Sequence, residues 1–299
     1  MLGDGRIQLV DRGMRDNPWL ERRVIAYAHQ GGAKEAPSST LYAIRAALEH
    51  GANGIELDVH ATSDGYLVVC HDATLDRTTN ATGRIADLGL QEIRNLDNAY
   101  WFCPGEDAVS GRPVQDYVLR GRAPEDPELC VATLAEVLES FAGVVLNLDI
   151  KRSAPEVVAY EQALAETLLE HGRKDDVIVA SFSDSALVEF ARHAPGIAIA
   201  AGTEATTEFY RRLRAGEPPQ DDIERYAAFQ VPARLGPLVV VDELFVEAAH
   251  ASGLAVHVWT IDDPDEMEHL IDLGVDGIMS DKPSVLAGVL SRLGASWKR

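Results

Sequence analysis

The sequence predicts a (β/α)8 barrel, and three observations carry that expectation. Eight short apolar runs alternate with amphipathic stretches, and eight is the number of parallel strands that closes such a barrel. Several amphipathic stretches stop at a glycine, which suits the left-handed position just beyond a helix. No GxGxxG motif follows the first apolar run, which argues against the competing open, doubly wound sheet.

In chain order the strand-like runs are Val24–Ala28, Gly54–Asp58, Val144–Ile150, Val177–Ala180, Ile197–Ala200, Ala227–Val231, Ala255–Thr260 and Gly277–Met279. The helix-like stretches are Thr40–His50, Leu134–Phe141, Ala154–His171, Asp184–His193, Asp242–Ser252, Pro264–Leu273 and Ser284–Leu293. Their apolar residues recur three and four positions apart, as amphipathic helices require. Asp262-Asp263-Pro264-Asp265-Glu266 supplies a cap, an initial proline and first-turn acids for one helix, while Gly51, Gly172, Gly253 and Gly274 end others. A single domain is expected over 1–299, with its core over 24–293. The long gap between the second and third strands is an insertion, placed at 60–130. It opens with the hairpin signal Thr62-Ser63-Asp64-Gly65 before the run Tyr66–Cys70, and continues through Cys103–Pro127, a polar stretch that reads as surface loop. Thr203–Asp222 also reads as loop. A long loop leaving the C-terminal end of a barrel strand lies on the catalytic face.

Composition narrows the classes of function. With 27 basic and 48 acidic residues the formal net charge is −21, which opposes binding to nucleic acid and to anionic membranes. No run approaches the roughly 20 apolar residues of a membrane span, and the N-terminal stretch lacks the apolar segment of a secretory signal, so cytoplasm is the default compartment. Three cysteines, Cys70, Cys103 and Cys130, form neither an even set nor a CxxC spacing, and read as free, mostly buried thiols. Nothing in the sequence fixes an oligomeric state.

Successive strand side chains alternate between faces, so in Gly54-Ile55-Glu56-Leu57-Asp58-Val59 the two acids share one face and the apolar residues the other. In a barrel the acidic face points inward, where two neighbouring carboxylates need a cation or a shared proton. In Leu146-Asn147-Leu148-Asp149-Ile150-Lys151 the residues Asn147, Asp149 and Lys151 share a face in the same way. Asp149 would complete with Glu56 and Asp58 an oxygen-rich site for a hard cation, and Lys151 would place fixed positive charge beside a phosphate. His29 ends the first strand and His71 ends the run after the hairpin. Two imidazoles beside a carboxylate cluster suit acid–base cleavage of a phosphodiester, one activating the nucleophile and the other protonating the leaving alkoxide. Asp72, next in sequence, is a candidate orienter of His71. His60 lies on the face of Glu56 and Asp58 but beyond the strand as read. His257 and Trp259 share a face in the seventh strand, with Trp259 either lining the pocket or packing in the core. His50, His171, His193, His250 and His269 fall near helix ends and read as ordinary surface residues.

These residues resemble the glycerophosphodiester phosphodiesterase family. The likeness runs through Ala28–Thr79 and Val256–Pro283, with LNLDIK and Ser181-Phe182-Ser183 as shorter middle pieces. It implies a barrel with a small insertion after its second strand. It also implies hydrolysis of a small-molecule glycerophosphodiester to glycerol 3-phosphate and an alcohol with Mg2+ or Ca2+. By that resemblance His29 and His71 fall on the acid–base pair, Glu56 and Asp58 on metal ligands, and Lys151 on a phosphate-side lysine. Asp149 stands where the family usually has Glu, one methylene longer.

Two departures concern the substrate side. Gln30 stands where Arg usually follows the first histidine, and Pro37-Ser38-Ser39-Thr40 replaces Pro-Glu-Asn-Thr. A cation and an anion are thus lost together, which is the expected pattern if the two normally pair, since losing one alone strands a buried charge. Gln30 still offers a neutral hydrogen bond to a phosphate, with weaker binding. Two other activities fit the same barrel. A lysophospholipase D-type enzyme, or a relative of sphingomyelinase D, would want an apolar rim, for which Tyr100-Trp101-Phe102 is a candidate unless it forms the insertion's own core. A catalytically weak phosphodiester-binding protein would explain Gln30 and Ser38-Ser39.

Overall fold

The computed structural model describes residues 17–151 and 157–295. In chain order the regular elements are α1 (Pro18–Glu21), β1 (Ile25–His29), α2 (Leu41–Glu49), β2 (Gly54–Ala61), β3 (Leu67–Val69), α3 (Leu90–Ile93), α4 (Leu134–Ser140), β4 (Val145–Ile150), α5 (Glu161–Glu170), β5 (Val177–Ala180), α6 (Asp184–His193) and β6 (Ala198–Ala201). They continue with α7 (Thr203–Ala215), β7 (Ala228–Pro232), the two-residue strands β8 (Arg234–Leu235) and β9 (Leu238–Val239), α8 (Glu243–Ala251), β10 (Ala255–Trp259), α9 (Pro264–Leu273), β11 (Gly277–Ser280) and α10 (Pro283–Leu293).

Strands β1, β2, β4, β5, β6, β7, β10 and β11 pair in parallel in that order, and β1 pairs with both β2 and β11, so the sheet closes into the expected barrel. Alternation sorts the side chains into two layers. Ile55, Leu57, Val59, Leu146, Leu148 and Ile150 point outward and pack under the helices with Ile44, Leu164 and Phe190. Ile25, Tyr27, Val145, Ile178 and Met279 point inward and fill the lower barrel. Trp19 of α1 joins this inner layer. Asn17 fixes it there by donating from Nδ2 to the carbonyls of Ala227 and Gly253 at 2.8 Å each, while its Oδ1 caps the helix at Trp19 N–H. Ala227 and Gly253 lie one and two residues before the starts of β7 and β10, so α1 closes the N-terminal end, opposite the strand C-termini. Gly54 is required by this packing, because a Cβ there would stand 2.7 Å from Ile25 and Tyr27 side-chain carbons.

The hairpin signal is realised: β3 runs antiparallel to the far half of β2, with Val59 opposite Val69 and Ala61 opposite Leu67. The insertion then folds as two small cores, one around Leu75, Ile85 and Ile93, the other around Ala99, Phe102, Leu119 and Leu129.

Three expectations need correction, and one element was not foreseen. Strand β2 reaches Ala61, so His60 lies within the strand and not beyond it. The helix expected over Ala154–His171 starts only at Glu161; residues 157–160 are not helical, and 152–156 lie outside the described residues. Thr203–Asp222, read as loop, contains the thirteen-residue helix α7. Its first N–H groups are capped from elsewhere, Glu204 and Ala205 donating to the Asp184 carboxylate at 2.8 and 3.1 Å. A cap supplied by a residue 20 positions upstream leaves no local signature. Finally, the short helix α1 had no counterpart in the sequence reading.

Candidate active site

Strand register assembles the acidic cluster. Parallel pairing sets His29 beside Glu56, and Asp58 beside Asp149. Because residues two apart share a face, Glu56, Asp58, Asn147 and Asp149 all enter the barrel near the strand C-termini. Lys151, one residue past β4, folds back over the cluster, its Nζ 3.0 Å from Asp58 Oδ1 and 3.0 Å from Asp149 Oδ2. Asn147 is held by Gln230, whose Nε2 donates to its Oδ1 at 2.7 Å.

The β1–α2 turn brings in the next group. Gly31 and Gly32 have φ of +80° and +93°, and a Cβ on Gly32 would meet Pro283 at 2.7 Å. This tight turn, entered through Gln30 at φ +52°, aims the Gln30 N–H at Glu56 Oε2, 3.0 Å away. Gln30 is buried, and its side-chain Oε1 accepts from Ser38 Oγ at 2.7 Å. Gln30 and Ser38, two of the positions expected to depart from the family pattern, are therefore bonded to each other.

Each histidine is backed by a carboxylate. His29 Nδ1 lies 2.6 Å from Asp281 Oδ1 and His71 Nδ1 lies 2.6 Å from Asp72 Oδ1. Asp281 is fixed by Asp262, whose Oδ1 accepts from the Asp281 N–H at 2.9 Å and whose Oδ2 binds Lys34 Nζ at 2.7 Å. Asp72 is gripped by Arg77 at 2.7 and 3.2 Å. His71 is delivered by Cys70, whose N–H donates to the Asp58 carbonyl at 3.0 Å. With both Nδ1 atoms committed, chemistry falls to Nε2, which on His29 also lies 3.4 Å from Gln30 Nε2 and 3.8 Å from Glu56 Oε2; the ring centroids are 6.3 Å apart and nearly perpendicular.

The field within the site follows from burial and these partners. Burial raises Glu56 above the usual carboxylate range, and burial with the neighbouring Glu56 charge raises Asp58 to about 7. Burial alone would lower His29, but Glu56, Asp281 and Asp58 outweigh it and raise it to about 9. Hydrogen bonding from His71, together with Arg77, holds Asp72 well below the usual range. Burial opposes the charge of Lys151, yet Asp58 and Asp149 keep it firmly protonated.

Asp58 Oδ2 and Asp149 Oδ1 are buried without a hydrogen-bond partner. Among the described residues no three His, Cys, Asp or Glu side chains stand pre-arranged as a metal cage. The donors nonetheless suit a hard divalent cation: three carboxylates from adjacent strands, two of them with orphaned oxygens.

Trp259 stands at the C-terminal end of β10 and meets Phe182 edge-on at 5.9 Å, and the Phe182 ring lies 5.7 Å from Lys151 Nζ. His257, on the same face of β10, is in the lower core instead, fully buried between Tyr27 and Trp19 at 5.3 and 6.2 Å. Tyr100-Trp101-Phe102 turns out to be insertion packing. Phe102 is buried among Ala99, Leu119 and Leu129, and the Arg120 guanidinium lies over Tyr100, Trp101 and Tyr117 at 4.2, 4.4 and 3.8 Å. Sequence reasoning missed Asp281, Asp262 and Arg77. Asp281 carried one usable signal, its place just past the C-terminal end of the last strand. Beside His71 opens a cavity of about 360 Å3 walled by His60, Lys151, Ser181, Phe182 and Ser183.

A closed parallel barrel with paired histidines and an acidic cluster at its C-terminal mouth has its polar groups where barrel enzymes carry their active sites. The chain belongs to the glycerophosphoryl diester phosphodiesterase family, whose sequence profile matches residues 29–285. It is 31% identical over 278 residues to the glycerophosphodiester phosphodiesterase of Caldanaerobacter subterraneus, a match covering 91% of this chain and all of that one. A 77-residue stretch, 26% of this chain and 23% of the other, is 53% identical to human glycerophosphodiester phosphodiesterase 1. Among solved structures, a phosphodiesterase from Oleispira antarctica in complex with its product sn-glycerol-3-phosphate superposes with a TM-score of 0.66 at 26% identity, covering 89% of this chain and 96% of that one. The glycerophosphodiester phosphodiesterase of Agrobacterium tumefaciens gives 0.65 at 25% identity over 87% and 98%. The chain is thus a phosphoric diester hydrolase.

Proposed function

We propose that the protein hydrolyses glycerophosphodiesters to glycerol 3-phosphate and an alcohol, with His29 and His71 as the acid–base pair. The supporting observation is the pair of imidazoles at the barrel mouth, each fixed at Nδ1 by a carboxylate. The phosphate binds between the rings, where Lys151 offsets its charge and the Gln30 amide offers a neutral hydrogen bond. One imidazole accepts the nucleophile's proton at Nε2, and the other delivers a proton from Nε2 to the departing alcohol oxygen. Asp281 and Asp72 hold the tautomer and stabilise the charge that each ring takes in turn. Glu56, Asp58 and Asp149 are the side chains that would hold a divalent cation, Mg2+ or Ca2+, which would supply Lewis-acid neutralisation at the phosphoryl oxygens. Lys151 belongs to the same carboxylates and keeps their mutual repulsion down.

The test is product analysis with purified enzyme and glycerophosphocholine. Glycerol 3-phosphate and choline should appear, and His29→Ala and His71→Ala should each lower kcat by roughly 10²–10⁴-fold. Release of phosphocholine instead, or either variant retaining full kcat, would overturn the assignment.

A further inference from the structure

The cavity beside His71 has a composition that selects what can sit in it. Its remaining walls are Ala73 and Ile150, and none of the residues lining it is acidic. The charged side chain in its wall is Lys151, whose ammonium faces the Phe182 ring and whose carboxylate partners Asp58 and Asp149 lie behind it, outside the lining. A choline or ethanolamine group would therefore meet a like charge, with no carboxylate in the wall and the one aromatic face already turned to Lys151. An uncharged polyol meets no such conflict and needs only hydrogen-bond partners.

Most polar groups in the wall are already committed. Ser181 Oγ donates to the Ile150 carbonyl at 2.9 Å and accepts from Ser183 N–H at 3.1 Å. Ser183 Oγ accepts from Ala186 N–H at 3.3 Å and pairs with Ser185 Oγ at 2.9 Å. Lys151 is held by two carboxylates, and His71 Nε2 is taken up by the proton transfer proposed above. His60 is different. It lies on the inward face of β2 two residues past Asp58, is buried, and its Nε2 is 3.4 Å from the His71 carbonyl. A carbonyl can only accept, so Nε2 carries the hydrogen and Nδ1 remains an acceptor.

We propose that this cavity receives the alcohol part of the substrate, that the alcohol is an uncharged polyol, and that His60 reads it by accepting a hydrogen bond from one of its hydroxyls at Nδ1. The inference rests on the phosphodiesterase activity proposed above and adds the class of leaving group. His60 is then a specificity-determining residue, distinct from the two histidines that move protons.

The test compares kcat/KM for glycerophosphoinositol, glycerophosphoglycerol and glycerophosphocholine. The wild-type enzyme should prefer the two polyol diesters. His60→Leu should lower kcat/KM for both by about tenfold, the loss expected for one hydrogen bond left unmade, and change glycerophosphocholine by less than about twofold. His60→Gln, which keeps a donor and an acceptor, should recover most of the preference. A wild-type preference for glycerophosphocholine overturns the inference without recourse to any variant, and so holds even if His60→Leu fails to fold. An equal fall for all three substrates also overturns it, because that is the signature of a residue that merely positions His71. Turnover of none of the three by wild-type enzyme would instead remove the phosphodiesterase reading, and this inference with it.

Discussion

Gln30 and Ser38 form a neutral pair at a position that solvent hardly reaches. Both side chains are 5% exposed and they share a 2.7 Å hydrogen bond. A guanidinium introduced at residue 30 alone would be buried without an acid at residue 38, and an acid at 38 alone would lack its cation. Gln30→Arg and Ser38→Glu should each lower the melting temperature, and the double variant should recover it. A coupling of about 1–3 kcal/mol in the double-mutant cycle is expected, with a lower KM in the double variant from its added cation near the phosphate. Additive effects in the melts, or an unchanged KM, would show that the two positions do not act together. This coupling had a trace in the sequence, because a lost cation and a lost anion within nine residues suggested a pair. The partnership of His29 with Asp281 had none, since 252 residues separate them and only barrel closure joins β1 to β11.

At the scale of elements, function and stability are divided between the two ends of the barrel. The lower end is stoppered by Trp19, which is 2% exposed and packs in the inner layer with His257 beside it. Trp19→Ala removes a large buried ring and should cost about 3–5 kcal/mol in a denaturant melt. The site lies at the other end, so kcat of the folded fraction should stay within about threefold of wild type. A collapse of kcat with unchanged stability would contradict that separation. The elements differed in how plainly the sequence displayed them. Glu56, Asp58, Asn147 and Asp149 were legible because alternation alone assigns them to one face, and the outer residues Ile55, Leu57, Leu146 and Leu148 duly pack under helices. Helix α7 was not, because Phe209 is its one fully buried side chain and its N-terminal cap comes from Asp184 on another helix. Helix α1 was too short to show any periodicity.

One part of the molecule's pH response comes from a histidine that takes no part in the proposed chemistry. His257 is fully buried, and burial lowers its imidazole to about 4, only weakly opposed by Asp276. Its folded value lies below its ordinary one near 6.5, so the unfolded chain binds the proton first as pH falls. The stability it contributes is complete above about 6.5 and is lost as pH drops through about 4, up to about 3 kcal/mol. His257→Phe, an uncharged ring in the same apolar layer, should lose less melting temperature than the wild type as pH falls from about 6.5 to about 4; an unaltered slope would locate the acid sensitivity elsewhere. Across the same molecule a net charge of −21 repels an anionic substrate, which is why the site needs concentrated positive charge at its mouth. Lys151 is one such charge, and the three carboxylates beneath it are suited to recruit another. The most direct measurement is therefore release of glycerol 3-phosphate during a titration of metal-free enzyme with Mg2+ or Ca2+, wild type beside Asp58→Asn. Activity should rise from near zero and saturate at one ion per chain in the wild type, and stay near zero in the variant. Full turnover in the presence of a chelator, or an Asp58→Asn enzyme as active as wild type, would contradict a cation-assisted centre.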